Sequence, residues 1–127
     1  MNPKGVIILP SPYTVSETIG RIQIFLEAHG ATIYARIDQQ SEVSKAGLQM
    51  PPLEFIMFGN PKADGPIMTE NPVAALDLPL KIIAWQDFEN KVWLAFNDAA
   101  FIEERYALSH NPDSPLNLTN LVANALK

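Results

Sequence analysis

Apolar positions along the chain change period several times, and each change marks an element. Val6-Ile7-Ile8-Leu9 is a short apolar, largely β-branched run closed by Pro10, which predicts a buried strand. Ile19, Ile22, Phe25 and Leu26 then recur at spacings of three and four, forming one helical stripe. Thr14 and Glu17 have capping-box spacing ahead of that stripe, and Gly30 follows as a left-handed cap, so a helix is predicted over 15–29. Thr32 to Asp38 alternates: Ile33, Ala35 and Ile37 are expected on one face, Tyr34, Arg36 and Asp38 on the other. Gln39 to Leu48 reads as a polar helical turn ending at Gly47, before Pro51-Pro52. Leu53 to Phe58 predicts a third strand, in which Glu54 shares a face with Ile56 and Phe58 and so belongs near an end or open edge.

The stretch from Gly59 to Pro79 is irregular, with Asn60-Pro61 and Asn71-Pro72 as helix starts, and short helices are predicted near 63–70 and 72–76. Leu80–Gln86 and Lys91–Phe96 read as two strands joined by Asp87-Phe88-Glu89-Asn90, a hairpin that sets Trp85 near Trp93. Asn97 or Asp98 caps a helix of about 99–108, and Ser114-Pro115 opens a last helix of about 115–126 with Leu118, Leu121, Val122 and Ala125 as its stripe. This order predicts an α+β domain over 1–127, with a mostly antiparallel sheet of about five strands and helices packed on one face.

Composition narrows the function. The 127 residues are 47% hydrophobic and 18% charged, enough for a core and too apolar for a disordered chain. A net charge of -5 and scattered Lys and Arg argue against a nucleic-acid binder. No run approaches the ~18 apolar residues of a membrane span, and the apolar stretch before Pro10 is too short for a secretory signal. The absence of cysteine removes thiolate chemistry, disulfides, iron–sulfur clusters and Cys-based zinc sites, and suits the cytoplasm. The two histidines, His29 and His110, are too few for a His-rich metal centre, and no cofactor is expected. His29 sits where a helix C-terminus favours a partly charged imidazole. Ser11 and Ser16 lack a nucleophile-elbow context.

Three turn-associated groups remain. Asp38 ends a strand and either caps the next turn or serves as a base or cation ligand. Asn60 and Lys62, in Gly59-Asn60-Pro61-Lys62, open a helix whose backbone donors suit an anion, although the signal is weak and a turn with an exposed lysine explains them better. Asn97 and Asp98 also open a helix, and the dipole favours Asp98 there.

Tyr34 to Asp38, Ala46-Gly47-Leu48, Phe58-Gly59-Asn60-Pro61-Lys62, Asp77-Leu78-Pro79-Leu80, Lys91-Val92-Trp93 and Asn97-Asp98, taken in that order, resemble the domain of unknown function 302 family. The resemblance implies a TATA-binding-protein-like fold with an antiparallel, curved sheet, and a homodimer; it implies no DNA binding and no particular activity. It also implies histidines where this chain has Gln39 and Tyr106, and a proline where it has Ala99. Gln39 cannot titrate, and Tyr106 does so only at high pH, so a family site built on those histidines would be missing here.

The leading expectation is a non-catalytic homodimeric binding module for a small molecule or protein partner. The apolar character of both faces of Leu53–Phe58 and Ile82–Trp85 motivates the dimer, with Asp38, Asn60, Lys62, Asn97 and Asp98 as the polar rim of a site. The alternative is an enzyme using Asp38 and Asp98 as an acid–base or metal-binding pair, which requires their carboxyls to lie within ~10 Å. A purely structural partner would instead show an apolar patch without a pocket.

Overall fold

The computed structural model describes residues 2–127. Strands β1 (Val6–Ser11), β2 (Thr32–Asp38), β3 (Leu53–Gly59), β4 (Leu80–Gln86) and β5 (Val92–Asn97) form one antiparallel sheet in the order β1-β5-β4-β3-β2. The helices are α1 (Val15–Ala28), α2 (Gln39–Lys45), α3 (Pro61–Glu70), α4 (Ala99–Arg105) and α5 (Thr119–Ala125), and a 3-10 turn spans Pro72–Leu76. This is the α+β, open-sheet architecture that the element order predicts. Trp85 pairs directly with Trp93 across the β4–β5 hairpin, as its short connection requires.

The core lies on one side of the sheet. Ile56 and Phe58 from β3, Leu80, Ile82 and Ala84 from β4, and Leu94 and Phe96 from β5 meet Val15, Ile19, Ile22 and Leu26 of α1. Ile102 of α4 and Val122 and Ala125 of α5 close the same layer. The stripe on α1 faces the sheet because its period matches the helix, and Thr14 holds the first turn by accepting from the Glu17 N–H at 3.1 Å. Glu17 reaches back to the Thr14 hydroxyl rather than to the backbone N–H that a capping box uses.

Four elements differ from the expected ones. β1 continues through Pro10, which pairs with Trp93, because an edge strand tolerates a residue without an N–H. α3 starts at Pro61, capped by Asn60. α4 stops at Arg105, where Ala107 turns into the left-handed region at φ 52. α5 begins only at Thr119, because Ser114 and Asn117 spend their side chains on turns, accepting from the N–H groups of Leu116 and Thr119.

A fifth difference has larger consequences. The β2–β3 register slips between Ile33 and Ala35, so Tyr34 is an extra residue and β2 changes face there. Ile33 stays in the core, paired with Phe58. Ala35 and Ile37 pair with Met57 and Phe55 and so turn to the opposite face, while Arg36 and Asp38 turn toward the helices. The single-faced alternation expected for Ile33, Ala35 and Ile37 is therefore broken. Arg36 uses its new position as a clamp: Nε donates to Glu54 at 3.1 Å, Nη1 to Gln23, and Nη2 to the Ser16 carbonyl. Glu54, which the pattern placed at an end or edge, is held there by this pair.

Candidate binding site

The five polar residues singled out in the sequence do not form one site. Asp38 caps α2, accepting from the Ser41 N–H at 3.0 Å. Asn60 caps α3, accepting from the Lys62 N–H at 3.0 Å, and Lys62 is exposed. Asp98 caps α4 through the Ala100 N–H, and Asn97 ends β5 exposed. Through Glu54 and Ala84, Asp38 is level with Leu94, three strands away. Asp98 lies beyond the end of β5, which puts it ~13 Å along the sheet and ~14 Å across it from Asp38. That separation is too wide for a shared proton or metal ion, so the Asp38–Asp98 pair is corrected: each carboxylate caps its own helix. Asn60 and Lys62 also lie at the other end of the sheet from Asp38, because β3 runs antiparallel to β2.

The structure gathers a different set. A cleft of about 260 Å³ opens between the C-terminal end of α1, the first turn of α3 and the segment leading into α5. Its walls are Leu26, Ala31, Phe58, Leu80, Leu118 and Leu121. Asp64 stands in this wall, only 6% exposed. Its Oδ2 accepts the Asn60 N–H at 3.0 Å and lies so close to Gly59 that a Cβ there would be 2.4 Å away. Gly59 is thus required by close approach and not by an unusual φ. Burial pushes the Asp64 carboxyl above the ordinary aspartate value, and the Asn60 N–H only partly offsets this. His29 and Asn117 stand at the rim. Of the residues expected to bind, only Asn60 lines this cleft. Asp64 was missed because an acidic residue in the first turn of a helix is ordinary in sequence; only packing against Gly59 makes it buried.

Two further polar clusters stand outside this cleft. Tyr106, 5% exposed, donates to Asp77, which also pairs with Arg105 at 3.1 Å. The bond to Asp77 and burial hold the Tyr106 phenol above its usual value, so it is an anchor for the loop before β4. Asp87 accepts Trp93 Nε1–H at 2.8 Å and the N–H groups of Lys91 and Glu89, and these donors, led by Trp93, hold its carboxyl below the usual range.

The sheet's second face carries Leu53, Phe55, Met57, Ile83, Trp85, Trp93, Ala35 and Ile37, and none of them belongs to the core. Phe55 and Ala95 are shielded by neighbours; Ile83, Trp85 and Trp93 are half-buried. Lys81 is the single charged side chain along β4 and lies with Nζ 4.6 Å from the Phe55 ring centroid.

Comparison with known proteins places the chain. It is 36% identical over 109 residues to proteins named fluoride-specific ion channel FluC 1 in Brucella suis and Brucella abortus. The match covers 86% of this chain and 43% and 40% of those relatives, so the chain spans about two fifths of their length. No helix among the described residues is long and apolar enough to cross a membrane. A crystal structure of an uncharacterized conserved protein, DUF302, from Bacillus stearothermophilus shares the fold with a TM-score of 0.76 at 16% identity, covering 98% of this chain and 97% of that one. Residues 7–125 match the family described as Domain of unknown function DUF302, and the chain belongs to that family.

Proposed function

We propose that this protein is a non-catalytic binding module, one domain over 1–127, that works as a homodimer in the cytoplasm. The observation that carries this reading is the uncovered second face of the sheet, with Trp85, Trp93, Ile83 and Met57 outside the core. These side chains are only half-buried, and a partner of matching shape would cover the rest of their apolar surface. A second copy fits because the face is built from paired strands and has charge of opposite sign at its two ends: Lys81 at one, Asp87 at the other. Stacking two copies with their β4 strands antiparallel sets Lys81 near Asp87 of the other copy, whereas parallel stacking sets lysine against lysine. The wide separation of Asp38 and Asp98 supports binding over the two-carboxylate enzyme.

The relatives named as fluoride channels fit the same reading. This chain matches only about two fifths of them and contains no helix among its described residues long and apolar enough to cross a membrane, which supports reading the matched part as a binding module. In that arrangement the DUF302 part is an appended module whose dimerisation would bring two attached segments together.

Sedimentation equilibrium tests the dimer. The wild-type chain should run at twice its 14.0 kDa mass at micromolar concentration. Ile83→Asp, which sets a charge in the middle of the face, should give a folded monomer with unchanged far-ultraviolet circular dichroism. A wild-type monomer, or a dimer that tolerates Ile83→Asp, overturns the proposal.

A further inference from the structure

We infer that the cleft between α1, α3 and the approach to α5 binds a small aliphatic amide, with its hydrocarbon part along Phe58, Leu118 and Leu121 and its carbonyl on the side-chain NH2 groups of Asn60 and Asn117. The inference rests on the reading of the chain as a binding module but not on the dimer.

The cleft holds about 260 Å³ between aliphatic and aromatic walls. An apolar cavity of about 150 Å³ already accommodates a benzene ring, so a short hydrocarbon chain has room here. The walls do not favour a charged head group. Asp64 is the one acidic residue among the described residues that line the cleft, and its carboxyl is engaged elsewhere: Oδ2 accepts the Asn60 N–H at 3.0 Å and lies against Gly59, on the side where the Tyr34 ring also stands. No Lys or Arg is among the lining residues. An ammonium or a carboxylate entering the cleft would lose water without gaining an opposite charge.

The rim offers neutral hydrogen bonds of both kinds. Asn60 Oδ1 accepts the Lys62 N–H at 3.0 Å, and Asn117 Oδ1 accepts the Thr119 N–H at 3.2 Å. These caps fix each side-chain amide through its oxygen. Among the described residues neither NH2 group has a hydrogen-bond partner, so both remain as donors. His29 adds an acceptor. Its Nδ1 lies 2.8 Å from the Phe25 carbonyl and its ring stacks on Phe25 with centroids 4.1 Å apart, so Nδ1 carries the proton and Nε2 is left to accept. A carboxamide matches this set: its oxygen has two lone pairs for the two NH2 donors, and its own N–H suits Nε2. A ketone has no donor, and a hydroxyl offers a weaker match to two donors.

Hexanamide, hexylamine and hexanoate share one hydrocarbon chain and differ in the head group, so their comparison reads out the rim. Titrated at neutral pH into the ¹⁵N-labelled full chain, hexanamide should move the backbone signals of Ala31, Gly59, Ala63 and Leu118 and the side-chain NH2 signals of Asn60 and Asn117. It should bind at least about tenfold more tightly than either charged ligand, because neither regains in the cleft the hydration that it loses. Asn117→Asp keeps an acceptor for the Thr119 N–H and removes the NH2 donor, so it should weaken hexanamide binding at least about threefold. Absence of hexanamide binding overturns the inference, as do equal binding of the three ligands, preference for a charged one, and shifts confined to Ile83, Trp85 and Trp93. The wild-type comparison needs no variant to fold. Ile83→Asp should retain hexanamide binding, which separates failure of this site from failure of the dimer.

Discussion

Asp64 shows how one buried side chain ties structure to pH. Burial raises its folded-state pKa above the ordinary 3.8, so the folded chain holds that proton more tightly than the unfolded one. Its contribution to stability is complete below 3.8 and is lost as pH rises through the raised value. Asp64→Asn keeps an acceptor for the Asn60 N–H and removes the ionisation. The variant should be more stable than wild type at neutral pH and show a flatter pH dependence above 3.8. Urea midpoints taken from pH 3.5 to 8 check this, and an unchanged slope would count against it. Asp87 has the opposite sign: its donors lower its pKa, so its contribution is present at neutral pH and fades only in acid.

At the scale of elements, the connection from Asn71 to Pro79 is held by side chains as well as by its own backbone. Asn71 Nδ2 donates to the Tyr106 carbonyl at 2.7 Å, and Tyr106 and Arg105 both reach Asp77. α4 thus pins the loop that leads into β4 and flanks the sheet's open end. Tyr106→Phe should leave the sheet intact and loosen this loop. Hydrogen exchange should quicken at Ala74, Asp77 and Leu78, whose N–H groups bond within the loop, while Ile82 and Leu94 remain protected. Equal exchange in both proteins would show that the hydroxyl contributes nothing to the anchor. The extra residue at Tyr34 acts at the same scale. By reversing the faces of β2 it adds Ala35 and Ile37 to the open side of the sheet and supplies Arg36 to α1.

For the whole molecule, the proposed dimer has a preferred orientation. With β4 strands antiparallel across the interface, Lys81 of one copy faces Asp87 of the other. Lys81→Glu should therefore weaken dimerisation, and wild-type association should weaken as salt rises from 0.05 to 0.5 M, because rim charges are screened over about 10 Å at 0.1 M. Concentration-dependent sedimentation at several salt levels measures both effects. An unchanged dimer with no salt dependence would require another stacking.

The sequence by itself determined the elements whose causes are local. The 3.6-residue stripe and Thr14 cap define α1, the apolar runs define β3 and β4, and the short link between β4 and β5 brings Trp85 and Trp93 together. The order of these elements and the ordered motifs from Tyr34 to Asp98 were enough for the fold class and the family. Tertiary structure alone decided the site. Asp38, Asn60 and Asp98 each have a local capping role that sequence reveals, but register places Asp38 far from the other two. The Tyr34 bulge was hidden because an alternating pattern looks the same on either side of one inserted residue. Asp64 was hidden for a related reason: an acidic residue in a helix's first turn is favoured in water, and its burial depends on Gly59 and on a cleft assembled from α1, α3 and the approach to α5. Local periodicity fixes which residues form an element, whereas the environment of a side chain depends on contacts between elements distant in the chain.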